Sequence, residues 1–235
     1  MSTTTLPVVI LAGGLATRLQ DLTRTLPKSL IPIQGVPFID HQLHLLHRHG
    51  LKRVILCLGH LGTSIIAHVG NGTRYGLDIE YVEDGVCLRG TGGALKLVLP
   101  LVDSPFFVLY GDSYLPCDYQ AIQRIFYQKP TLGLMTVFHN EGRWDASNIE
   151  YRTGAILDYN KEQKTSRMHF IDYGLGILTP QALEYIPDTE PYDLAQLYRS
   201  LLKQNQLAAT EVKQRFYEIG SYQGIRDLEA YFERG

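Results

Sequence analysis

A three-layer α/β sandwich, with helices on both faces of a mostly parallel sheet, is the fold class this sequence predicts. Three observations predict it. Apolar runs of strand length recur at residues 6–12, 53–58 and 106–110, and runs without alternation suit strands buried on both faces. Segments of helical periodicity lie between them, and an alternating strand–helix order implies parallel strands joined by crossovers. The first and third runs end in Gly13-Gly14 and Gly111-Asp112, tight turns at the carboxyl ends of strands.

The elements follow in order. Residues 6–12 make the first, central strand. Pro37 pre-sets a helix start, 38–49 runs at helical spacing, and Gly50 stops it. A strand at 53–58, a short helix at 61–69 and a strand at 77–82 come next. Gly90-Thr91-Gly92-Gly93 opens a helix to residue 99, followed by the strand at 106–110, a helix at 119–128 and a strand at 132–138. After Asn140 the pattern changes. Residues 148–151, 155–159 and 170–178 read as strands of a smaller mixed subregion, and 194–204 and 222–232 as closing helices. The chain thus divides into a core, 1–139, and a closing part, 140–235, within one domain.

Composition narrows the function classes. The 235 residues are 45% hydrophobic and 20% charged with a formal net charge of -2, ordinary for a globular protein. The absence of a basic run argues against nucleic acid and membrane surfaces as partners. Cys57, Cys87 and Cys117 are odd in number and lack a CxxC pair, which fits buried reduced thiols and a cytoplasmic location. The N-terminus lacks a charged n-region, and the first apolar run falls short of the ~20 residues that cross a bilayer.

In an open α/β sheet ligands sit beyond the carboxyl ends of the strands. The first such loop reads Leu11-Ala12-Gly13-Gly14-Leu15-Ala16-Thr17-Arg18-Leu19. Paired glycines let backbone N–H groups approach an anion, Thr17 adds a hydroxyl, and Arg18 can fork onto phosphate oxygens. Lys28 can return a point charge to the same place. The loop is neither a Walker A sequence nor GxGxxG, and the latter absence excludes a redox dinucleotide enzyme. Asp112 can hold Mg²⁺, a hard ion that favours oxygen ligands and substrate phosphates; the following Ser113-Tyr114 is not DxD. The Gly90–Gly93 cluster can present N–H groups to a base edge or phosphate. His41, His44, His47 and His49 fan around their helix without HExxH, so they read as a solvated face, not zinc ligands.

Together, Leu11-Ala12-Gly13-Gly14-x-x-Thr17-Arg18-Leu19, Leu26-Pro27-Lys28 and Gly111-Asp112 resemble the sugar-1-phosphate nucleotidyltransferases. That resemblance implies a Rossmann-like fold and an Mg²⁺-dependent transfer of NMP from an NTP to a sugar 1-phosphate. It implies that Leu11, Ala12, Gly13, Gly14, Thr17, Arg18 and Gly92 bind the nucleotide, with Arg18 and Lys28 as catalytic cations on its phosphates. Asn148, Lys161 and Asp172 would bind the acceptor, and Asp112 and Glu218 the metal. The oligomeric state stays open between a monomer and a homodimer. Three positions depart from the family pattern. Glu218, in Tyr217-Glu218-Ile219-Gly220-Ser221, replaces an Asp, Asn160-Lys161 replaces a Glu-Lys pair, and Asp172 stands where relatives carry Asn. The last two point to an unusual acceptor, so a cytidylyltransferase acting on a non-sugar phosphate or phosphonate is an alternative. A catalytically silent, nucleotide-binding regulatory subunit is another. Glu218 favours it, whereas retention of Arg18, Lys28 and Asp112 speaks against it.

Overall fold

The computed structural model describes residues 5–14, 19, 26–85, 89–188 and 191–234. Its framework is a nine-stranded sheet. Strands β1 (Val8–Leu11), β4 (Arg53–Leu58), β5 (Asp78–Glu83) and β6 (Phe106–Tyr110) form the parallel part. Small ribbons pair β2 (Pro32–Ile33) with β3 (Val36–Pro37), and β7 (Ser113–Tyr114) with β13 (Tyr217–Glu218). Strand β11 (Phe170–Leu178) runs antiparallel to β6 and carries β8 (Gly133–His139) and β9 (Ile149–Arg152) at its other edge. Strand β10 (Ala155–Tyr159) extends β9, and β12 (Leu207–Glu211) lies parallel to β8. The mixed part is therefore a continuation of the core sheet.

Helices cover both faces. Val8 and Ile10 point into one apolar core, together with Ile39, Leu43 and Leu46 of α1 (Phe38–Arg48) and Ile65 of α2 (Gly62–Val69). Val9 and Leu11 point into the other, with Leu95 of α3 (Gly90–Lys96) and Leu197 of α5 (Leu194–Lys203). This is why the strand runs are apolar without alternation: each side chain meets a helix layer whichever way it points. Burying one such Val, Ile or Leu is worth roughly 1.5–3 kcal/mol. Helix α4 (Tyr119–Tyr127) is capped by Asp118, whose Oδ1 accepts from the Ala121 N–H at 2.9 Å. Helix α6 (Tyr222–Phe232) packs its Leu228 into a third cluster with Ile33, Phe38 and Ile219. Among the described residues no helix is long and apolar enough to cross a membrane.

Gly50 follows α1 in the left-handed region at φ 78°, as expected, whereas Pro37 sits one place before its first residue and α3 ends at Lys96, short of residue 99. Strand β12 carries no strand signal of its own, because Leu-Ala-Ala-Thr-Glu is short and weakly apolar; pairing with β8, not propensity, makes it a strand.

Candidate active site

The carboxyl ends of β1, β4, β5 and β6 open onto one cavity of about 620 Å³. In register, Leu11 lies between Cys57 and Tyr110, so the glycine loop begins where neighbouring strands also end. The Ala12 N–H donates to Cys57 O at 2.8 Å, and the Gly111 N–H to Leu11 O at 2.9 Å. A Cβ on Gly111 would stand 2.6 Å from that same oxygen. Glycine is thus required for the loop after β1 and the turn carrying Asp112 to lie side by side. Leu11, Ala12, Gly13 and Gly14 line the cavity, as do Lys28, Asp112, Lys161, Asp172 and Glu218. Thr17 and Arg18 lie outside the described residues.

The acidic end is built by a small ribbon. Pairing of β7 with β13 sets Glu218 opposite Ser113, and the Ile219 N–H donates to Asp112 O at 3.0 Å. Lys28 Nζ reaches Asp112 Oδ2 at 2.6 Å from its own 3-10 turn. Glu218 accepts from the Ser221 hydroxyl at 2.7 Å and from the Gly220 N–H. Ser221 also caps α6, accepting from the Gly224 N–H at 2.9 Å, so the helix start and the carboxylate share one anchor. Asp112 Oδ2, Glu218 Oε2 and Lys28 Nζ all lie within 3.7 Å of the point where a Gly220 Cβ would stand. Among the described residues no three His, Cys, Asp or Glu side chains converge on a metal position. A pair of carboxylates beside a phosphate-sized cavity suits Mg²⁺, which takes few protein ligands and completes its shell with phosphate and water.

Another part of the wall is aromatic and holds Asp172. A bulge in β11 between Asp172 and Gly176, with Gly174 at φ 95°, turns this carboxylate inward. It accepts from the Gly174 N–H at 3.0 Å and from the hydroxyls of Tyr110 and Tyr159, each at 3.3 Å. Burial pushes its pKa above the ordinary carboxylate range, and the charge of Lys161 opposes that shift. Lys161 Nζ stands 5.5 Å from the centre of the Tyr110 ring. Tyr173 and Phe216, packed edge to face, complete the wall.

Two of the expected residues are not among those lining the cavity. Gly92 does not line the cavity: its N–H donates to Tyr192 O at 2.7 Å, and Gly90 and Thr91 face the space instead. Asn148 does not line it either; its Oδ1 accepts from the Asp172 N–H at 3.1 Å, so it props the strand behind the site. The histidines of α1 are engaged separately, His41 stacking on Phe232 and His47 meeting Gly76 O. Residues that the sequence reading passed over are Asp84 and Tyr110, at the ends of β5 and β6, and Asp145. The rule that ligands gather at strand ends reaches the first two. Burial raises the Asp84 pKa, and the Cys57 thiol is pushed up to about 12 by its own burial, with the charge of Asp84 adding to the shift.

Known proteins share this layout. A D-glycero-alpha-D-manno-heptose 1-phosphate guanylyltransferase of Campylobacter jejuni is 26% identical over 212 residues, 90% of this chain and 93% of the relative. A UTP--glucose-1-phosphate uridylyltransferase of Synechocystis is 28% identical over 202 residues, 79% of this chain; the chain spans about half of it, 52%. The crystal structure of HddC from Yersinia pseudotuberculosis complexed with GMP-PN superposes with a TM-score of 0.78 at 25% identity, covering 97% of this chain and 100% of that one. The family model described as Nucleotidyl transferase matches residues 7–146, the stretch that runs from β1 through the glycine loop, Lys28 and Asp112 to Asp145. Because that match spans more than half of the chain and contains the loop and the Lys28–Asp112 pair, this protein is a member of the nucleotidyl transferase family.

Proposed function

We propose that this chain transfers the NMP of an NTP to a sugar 1-phosphate, giving an NDP-sugar and pyrophosphate. The observation that carries the reading is the single cavity with the glycine loop, the Lys28–Asp112–Glu218 cluster and the Lys161–Asp172 end on its wall. An oxygen of the acceptor phosphate attacks the α-phosphorus as the bond to the β-phosphate oxygen breaks, and pyrophosphate leaves. The attacking oxygen is already anionic, so positioning and charge neutralisation supply the catalysis. Mg²⁺, held by Asp112 and Glu218, would neutralise charge on the α-phosphate and the leaving group. Gly13 and Gly14 let the nucleotide lie close to the backbone. Arg18 and Lys28 hold the β- and γ-phosphates. Lys161 orients the acceptor phosphate, and Asp172 accepts from its hydroxyls. The reduced thiols Cys57 and Cys117 support a cytoplasmic setting. A homodimer is compatible with this chemistry, which needs no nucleic acid and no membrane.

A second acceptor class is favoured by a specific feature. Asp145 and Asp172 both line the cavity, and two carboxylates there also suit a cationic acceptor such as an amino alcohol phosphate or an aminophosphonate. Pyrophosphate release across a matrix of NTPs and acceptors tests both readings. Hexose and heptose 1-phosphates, phosphocholine and 2-aminoethylphosphonate are the acceptors, each with Mg²⁺ and with EDTA. Release with one pair, lost in EDTA and in folded Asp112→Lys, is the expected result. Tight NTP binding without release from any pair would point to an acceptor outside the matrix or to the silent regulatory alternative.

A further inference from the structure

The inner face of α1 is apolar except at one place. Phe38, Ile39, Leu43, Leu45 and Leu46 are buried there, and so is Gln42, at 1% exposure. Its side-chain amide faces two carbonyl oxygens, which need a hydrogen-bond donor. Nε2 donates to Ser113 O at 2.8 Å and to Tyr110 O at 3.2 Å. Its Oε1 is buried and finds no hydrogen-bond partner among the described residues. An unmet buried acceptor is destabilising, and a leucine or methionine at this position would carry no such acceptor. A chain that keeps a local penalty of this kind keeps it where function compensates.

The two carbonyls accepting from Gln42 flank Gly111 and Asp112. Gly111 is fixed from the other side by the Leu11 carbonyl, and Ser113 belongs to the ribbon that brings in Glu218. The amide therefore spans the turn that aims the Asp112 carboxylate, and ties it to a rigid helix. We propose that Gln42 is a positioning residue that holds the Asp112 turn in register for metal and phosphate. This inference rests on the assignment of Asp112 as a metal ligand.

The test is Gln42→Met, which keeps length and shape and removes both donors. Expected are a kcat lower by about tenfold or more and KM values for NTP and acceptor within about twofold of wild type. Mn²⁺ affinity of the NTP complex, read from the EPR signal of the free ion, falls as well. The thermal midpoint does not discriminate, because the apolar side chain removes the unmet acceptor but leaves the Tyr110 and Ser113 carbonyls without their donor. A purely structural glutamine would leave kcat and Mn²⁺ affinity per folded molecule at their wild-type values whatever the midpoint does, and that pattern overturns the inference. Gln42→Asn, too short to span the turn, carries the same test if Gln42→Met does not fold. Asp112→Asn separates the two levels. If it keeps wild-type activity, the metal assignment itself fails; if it is inactive while Gln42→Met is unaffected, only the positioning role fails.

Discussion

Gly220 stands at the crowded centre of the acidic cluster, and a single methyl group there is a direct probe of the chemistry. In Gly220→Ala the new Cβ would lie 2.5 Å from Glu218 Oε2, where ordinary contact begins at 3.4 Å, so the carboxylate must yield by about 0.9 Å. The same Cβ would be 3.0 Å from Lys28 Nζ and 3.7 Å from Asp112 Oδ2, so Glu218 is the group displaced first. A misplacement on the order of 1 Å costs on the order of 100-fold in rate when geometry carries the catalysis. That corresponds to about 2.7 kcal/mol of transition-state stabilisation. The backbone at Gly220 is outside the left-handed region, so alanine adds no strain of its own, and the stability change should stay within about 1 kcal/mol. The assay is steady-state pyrophosphate release with the NTP–acceptor pair found in the matrix, beside thermal unfolding. A folded Gly220→Ala protein within about threefold of wild-type kcat/KM would show that Glu218 is not held against the reacting phosphates.

Asp172→Asn should lower kcat/KM for the acceptor by on the order of 10- to 100-fold, the worth of hydrogen bonds to a charged group, with the KM for NTP unchanged. Its stability should move the other way. The raised folded pKa of Asp172 means that ionisation is less favourable in the folded protein than in the unfolded chain. The associated stability is fully present below the ordinary carboxylate pKa and is lost as pH rises through the raised value. Asp172→Asn should therefore match or exceed wild type in thermal midpoint at pH 7, with the advantage shrinking towards pH 4; a midpoint clearly below wild type at pH 7 would refute it. Burial, helped at Cys57 by Asp84 and opposed at Cys117 by the Tyr173 hydroxyl, pushes both thiols up to about 12. In a Cys87→Ser background, Ellman's reagent at pH 8 should then find no thiol in native protein and two after denaturation. Rapid native labelling of either would contradict their burial.

The legible part of this protein is the part encoded by contiguous residues. Apolar runs without alternation marked the strands buried between two helix layers, and their terminal glycines marked where a ligand can approach backbone. Lys28 and Asp112, 84 positions apart, could be paired only through the shared end of a parallel sheet, yet the structure joins them directly. Glu218 was harder to place. A glutamate for an aspartate looks like a weakened ligand in sequence, but a two-residue ribbon to Ser113 and a cap shared with α6 supply its position. Gly92 and Asn148 stay out of the cavity's lining for one physical reason. Both carry groups suited to a ligand, and in both a backbone neighbour claims those groups first: Tyr192 O at Gly92, the Asp172 N–H at Asn148. Sequence shows what a residue can donate or accept. It does not show which partner arrives first, and that competition is decided by strand register and bulges such as the one at Gly174. Gln42 is the converse case. A glutamine inside an amphipathic helix carries no signal by itself. It acquires one only when the structure shows that its face is apolar, that its amide spans the Asp112 turn, and that its own carbonyl oxygen goes unmet.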